Sequence, residues 1–190
     1  MSRKTLIRTN ELVYHITTRS NNKEWFYLSS NEVWRLCKEV LKEIDSKFSI
    51  EIHAFVLMNN HYHLMIRTPD SNIDKVMKYF NGKLSRLINR SAGRINHVFG
   101  APYRWSLIEN RIYYLNAIKY LYQNPVRAKI CDRVENYPYS TFHKENLEFD
   151  IKSYLTSLDK EWLNESISSS SKELIQKNLK KKYFRPGCKI

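Results

Sequence analysis

Apolar and polar positions alternate through residues 11–19, with Leu12, Tyr14 and Ile16 opposed to Val13, His15 and Thr17, and the β-branched and aromatic content predicts a strand. Ser29 stands three residues before Glu32, a capping box, and Val33, Leu36, Cys37, Val40, Leu41, Ile44 and Phe48 then recur at helical spacing. The run SIEIHAFVLM, residues 49–58, is almost continuously apolar, the pattern of a central strand covered on both faces. Asn59-Asn60 tolerates a turn, so HYHLMIRT should return as the second arm of a hairpin. A long helix is expected after Pro69-Asp70-Ser71, because Ile73, Val76, Met77, Phe80, Leu84, Leu87 and Ile88 keep one face past Gly82. A loop holding Gly93, Gly100 and Pro102 leads to a short strand, RWSLIE, and then to NRIYYLNAIKYLYQNPVRAKI, helical until Pro125.

The resulting order, β-α-β-β-α-β-α, is most simply satisfied by an α+β, ferredoxin-like (split βαβ) antiparallel sheet with helices on one face. Periodicity weakens after Lys144, which divides the chain into a domain of residues 1–145 and a C-terminal basic helical extension of residues 146–190. In that extension a serine-rich link precedes Lys172, Lys177, Lys180, Lys181, Lys182, Arg185 and Lys189, a stretch that either grips nucleic acid or is disordered.

Charge narrows the partner. A formal net charge of +13 favours a polyanion, since cations that neutralise phosphates release condensed counterions. Between Lys75 and Arg104 stand Lys75, Lys78, Lys83, Arg86, Arg90, Arg94 and Arg104 with no acidic residue, interleaved with Tyr79, Phe99 and Tyr103. Such a stripe suits backbone tracking and base stacking on a single strand. Cys37, Cys131 and Cys188 are odd in number and scattered, which argues against a disulfide framework or a cysteine zinc site, and no apolar run reaches membrane-spanning length. A cytoplasmic protein is expected.

Two places could carry chemistry. His61 and His63 lie one residue apart on a strand and share a face with Met65 and Arg67, while Tyr62, Leu64 and Ile66 point to the helices. Both imidazoles could reach one cation, but the pattern alone does not distinguish metal arms from two solvent-facing histidines. Tyr120 and Asn124 are four apart on the last helix, with Tyr113 and Asn116 on the same side, giving a phenol and a carboxamide oxygen one turn apart. Asn before Pro is equally a helix stop. His15, His53, His97 and His143 are isolated in sequence, although His15 or His53 could approach the pair across the sheet.

Taken in order, LMNNHYHLMIRTPD, HVFGAPYRWSLIEN, KYLYQNPVRAKI and YPYSTF resemble the motifs of the single-tyrosine transposases of the HUH nuclease superfamily, closest to the REP-associated tyrosine transposase branch. The resemblance spans about residues 8–145. It implies that His61, His63 and Asn124 hold a divalent cation, Mg²⁺ or Mn²⁺, and that Tyr120 is the nucleophile. It further implies cleavage and rejoining of single-stranded, hairpin-bearing DNA through a 5′-phosphotyrosine, by a protein acting as a monomer rather than a homodimer. The alternative is a non-catalytic DNA- or RNA-binding module derived from a transposase.

Overall fold

The capping box forms as the pattern requires: Ser29 Oγ accepts from the Glu32 backbone N–H, and the Glu32 carboxylate accepts from the Ser29 N–H at 3.1 Å. It opens the first long helix in a computed structural model that describes residues 5–152 and 160–184. In chain order the elements are β1 (Val13–Arg19), α1 (Ser30–Lys47), β2 (Glu51–Leu57), β3 (His61–Arg67), α2 (Ile73–Ser91), β4 (Arg104–Ile108), α3 (Arg111–Tyr122), α4 (Asn124–Arg127), α5 (Lys160–Asn164), α6 (Ser169–Asn178) and β5 (Tyr183–Phe184).

The sheet order is β2-β3-β1-β4-β5, with antiparallel pairing from β2 through β4. That is the split βαβ arrangement the element order predicts, on an α+β fold. The extension adds β5 parallel to β4, pairing Leu107 with Tyr183 and Ile108 with Phe184.

Strand parity sorts the core into two layers. Tyr14, Ile16, Tyr62, Leu64, Ile66, Trp105 and Leu107 face α1 and α2, where they meet Val33, Val40, Ile44, Val76, Phe80 and Leu84. Val13, Ala54, Val56, Met65 and Ile108 face the other way, against Tyr114, Ala117, Ile118 and Leu121 of α3, with Ile175 of α6 in the same cluster. The expectation of helices on one face thus describes α1 and α2, while α3 covers the second face because it carries its own buried surface, from Tyr114 to Tyr122. The histidine face is therefore closed rather than open.

β2 is an edge strand, not a central one. Its continuous apolarity has a different cause: the segment YPYSTF lies along its free edge, with Leu57 N–H donating to Tyr139 O at 3.0 Å and Thr141 N–H to Phe55 O at 2.9 Å. Lys152 N–H adds a bond to Ile52 O at 2.8 Å, so the exposed ladder that would invite aggregation is capped. Pairing skips a residue between Ile52 and Ala54, and this bulge lets the adjacent His53 reach the Tyr114 hydroxyl of α3 at 3.2 Å.

The extension also docks on α3. Gln123 Nε2 donates to Leu163 O and to Glu165 O, each at 2.7 Å, and buried Lys119 reaches Glu165 at 3.4 Å and the Trp162 ring at 4.7 Å. Cys37 is buried and Cys131 half-buried, both as free thiols, while Cys188, Arg185 and Lys189 lie outside the described residues. No helix among the described residues is long and apolar enough to cross a membrane.

Candidate active site

β3 begins at His61, directly after the Asn59-Asn60 turn, and the β3–β1 register sets His61 opposite Arg19 and His63 opposite Thr17. The histidine rings stand 5.1 Å apart at 76°. Each has its Nδ1 engaged by a neighbour. His61 Nδ1 lies 2.8 Å from Asn60 Oδ1, and His63 Nδ1 lies 3.0 Å from His15 Nε2. An amide oxygen can only accept, so His61 carries its proton on Nδ1 and presents the Nε2 lone pair. His15 is stacked beside His63, rings 5.2 Å apart at 25°, on the same sheet face.

Burial holds both imidazoles neutral. His61 is pushed down to about 4, with the Arg19 charge adding to the effect. His63 lies well below its ordinary value, through burial first and then the proximity of His15, His61, Arg127 and Arg19. Neutral imidazoles keep a lone pair for a cation at pH 7.

α3 brings the phenol. Tyr120, 6% exposed, sets its ring edge-on to His63 at 6.5 Å between centroids. The helix pauses at Gln123 and resumes as α4, because Pro125 has no N–H to give Leu121 O and its ring crowds that carbonyl. Asn124 fills the gap with its own side chain, donating Nδ2–H to Leu121 O at 3.1 Å. This fixes the carboxamide, whose oxygen then meets the Arg127 guanidinium at 3.4 Å. The Asn-Pro pair is thus a helix stop that also fixes the Asn124 side chain.

Arg127 closes the arrangement. Its guanidinium lies over the Tyr120 ring at 4.0 Å, donates to the Tyr120 hydroxyl at 3.2 Å and reaches Asn124 Oδ1 at 3.4 Å. Sequence reasoning missed this residue, although a cation three positions beyond Asn124 and seven beyond Tyr120 returns to their side of a helix. It also missed Asn60 as more than a turn former, and weighed His15 only as a distant approach.

The donor set suits a divalent cation of intermediate hardness: two imidazole nitrogens and one carboxamide oxygen. Among the described residues, no group of three or more His, Cys, Asp and Glu side chains could hold a metal.

The predicted basic stripe divides. Lys75, Lys78, Lys83, Arg86 and Arg90 lie on α2, across the sheet from the histidine face; of these, Lys83 pairs with Glu43 at 3.3 Å. Tyr62, next to His61, donates to Asn81 midway along α2 at 2.6 Å, and exposed Arg104 pairs with Thr17 of β1, itself opposite His63. Arg94 stacks over Tyr27 at 3.5 Å.

A family model described as Transposase IS200 like matches residues 8–124. The chain belongs to the IS200-like transposase family. Family members similar to it include a REP-associated tyrosine transposase of Escherichia coli strain K12, 23% identical over 113 residues, or 59% of this chain and 66% of that protein. A Haemophilus influenzae protein provisionally named a REP-associated tyrosine transposase is 22% identical over 119 residues, 57% of this chain and 68% of its own length. The chain thus spans about two thirds of each relative. In fold, this transposase family member matches a REP-associated tyrosine transposase solved bound to a REP hairpin, with a TM-score of 0.65 and 19% identity over 89% of this chain and 100% of that one.

Proposed function

We propose that this chain nicks and rejoins single-stranded DNA carrying hairpin ends, through a covalent 5′-phosphotyrosine at Tyr120 and with a divalent cation, Mg²⁺ or Mn²⁺. One observation carries the reading: a phenol on α3 and a histidine pair on β3, 57 positions apart from His63 to Tyr120, meet at 6.5 Å between rings in a buried site rich in positive charge. The relative in complex with a REP hairpin supports a hairpin-bearing substrate.

His61 Nε2, His63 Nε2 and Asn124 Oδ1 would hold the cation, whose charge would offset that of the scissile phosphate's non-bridging oxygens. The chain's own groups do the rest. Tyr120 Oη attacks phosphorus in line, the new Tyr–O–P bond forms as the P–O3′ bond breaks, and the phenolic proton passes to solvent while the departing 3′-oxygen takes one up. Arg127 donates to Tyr120 Oη, fixes its direction and stabilises negative charge on it. Because the adduct is still a phosphodiester, a 3′-hydroxyl of another strand can attack it and release Tyr120 without ATP. The phenol and the histidine pair meet within one chain, which supports action as a monomer.

The test incubates single-stranded oligonucleotides copied from the DNA flanking this gene with protein and Mg²⁺ or Mn²⁺, followed by a denaturing gel. A protein-linked DNA band that needs the metal supports the reading. Hairpin binding without any adduct would reduce it to a nucleic-acid-binding module.

A further inference from the structure

Residues 20–26 form a strap across the β2–β3 turn, and at its crest the Trp25 indole is 71% exposed. The strap is held from several sides. Ser20 N–H donates to Asn60 O at 2.8 Å, Phe26 N–H to Asn59 O at 2.9 Å, and Asn60 Nδ2 to Lys23 O at 2.6 Å. Asn21 N–H reaches Val98 O at 2.8 Å, and Gly100 is seated where an added Cβ would come within 3.0 Å of Asn21, so the loop before β4 presses against the strap. Phe26 turns inward, 6% exposed, and packs edge-on against Phe99 at 6.1 Å. A rigid backbone thus holds one large aromatic in water.

Trp25 borders a cavity of about 120 Å³ shared with Leu28, Ser30, Val33, Met58 and Asn59. The cavity opens beside the turn that ends at His61. Exposed Lys23 stands on the strap two residues before Trp25, Arg94 lies over the ring of Tyr27 two residues after it, and exposed Arg19 is opposite His61 in the register. Glu24, next to Trp25 in the chain, accepts from the Tyr27 hydroxyl at 2.8 Å, and Glu32 closes the α1 capping box. Ile95, 96% exposed, extends from the same loop as Arg94.

An exposed indole on a fixed loop, with cations on the neighbouring positions and a cavity beside it, has the attributes of a stacking platform for bases. We infer that Trp25 stacks an unpaired nucleobase of single-stranded DNA and, with the adjoining cavity, forms a base-holding subsite on the strand that enters the site at His61. This inference rests on the reading of the site as a single-strand nuclease. Asn60 links the two: its Nδ2 grips the strap at Lys23 and its Oδ1 orients His61, so a base seated on Trp25 sets the register of the phosphate presented to Tyr120.

The experiment measures binding of a fluorescein-labelled dT20 oligonucleotide in EDTA, where no cleavage enters, by the wild type, Trp25→Ala and Trp25→Phe. A blunt duplex of 20 base pairs is the control. At about 1–3 kcal/mol per stacked base, Trp25→Ala should weaken dT20 binding at least fivefold, Trp25→Phe should stay within about twofold of wild type, and duplex affinity should not change. Tryptophan emission should be quenched by dT20 in the wild type and much less in Trp25→Phe, since Trp34 and Trp105 are buried and Trp162 packs on Lys119. Because the indole is exposed, thermal midpoints should match. Wild-type affinity of Trp25→Ala for dT20 would overturn the inference. The nuclease reading fails separately, through absence of a Tyr120 adduct.

Discussion

Replacing His15 with phenylalanine removes one hydrogen-bond acceptor from behind a candidate metal ligand and keeps a ring in its place. When His63 Nε2 holds a cation, its Nδ1 must carry the proton, so the 3.0 Å bond runs from His63 to His15 Nε2. His15 and His63 are 2% and 7% exposed, so no water readily substitutes for the lost acceptor. An unpaired buried donor costs about 1–3 kcal/mol, and loss of an orienting partner typically lowers metal affinity about 10–100-fold. The ring swap nearly conserves volume, so its stability cost is set mainly by the polar contacts it removes. Isothermal titration with Mn²⁺ should therefore show His15→Phe weakened roughly 10–100-fold, with a cooperative melt retained. His15→Gln, which restores an acceptor oxygen, should recover part of the loss. A folded His15→Phe protein that binds Mn²⁺ within about twofold of wild type would refute the argument.

Two further outcomes follow from contacts around α3. Arg127→Ala should slow adduct formation about 10–100-fold at saturating DNA, because it removes the donor 3.2 Å from Tyr120 Oη, and Arg127→Lys should restore little, since a point charge cannot span Tyr120 and Asn124 together; quench-flow kinetics decide this, and wild-type rates in Arg127→Ala would contradict it. His53 is held by burial down to about 4, below its unfolded value near 6.5, so the unfolded chain takes up the proton first and stability present above about pH 6.5 is lost as pH falls toward 4. Urea midpoints taken from pH 7 to pH 4.5 should fall in the wild type and fall less steeply in His53→Phe; identical slopes would assign the acid sensitivity elsewhere.

Much of this was legible in the chain. The helical spacing and capping box at Ser29 and Glu32, the Asn59-Asn60 hairpin and the histidine pair on one strand face are local properties, and the structure has each of them. What the pattern misplaced depends on partners distant in sequence. β2 reads as a central strand because YPYSTF, more than eighty residues later, covers its edge. The histidine face reads as open because α3 is amphipathic only weakly, with tyrosines and Lys119 buried beside Ile118, so nothing local announces that it lies on the sheet. A cation stripe on α2 is visible as composition, but which side of the sheet it occupies is fixed by the apolar positions Val76, Phe80 and Leu84 packing with Tyr62 and Leu64. Arg127 was hidden by the Pro125 break, across which helical phase could not be assumed.

Intact-mass analysis of wild type and Tyr120→Phe decides whether the α3 phenol is the nucleophile of a metal-dependent DNA nuclease. Each would be incubated with Mg²⁺ and a single-stranded oligonucleotide copied from the hairpin-bearing DNA beside this gene. The wild type should yield a species heavier by the 3′ cleavage fragment, absent in Tyr120→Phe and absent with EDTA. An adduct that persists in Tyr120→Phe, or a wild type that binds the hairpin and never becomes heavier, would contradict it.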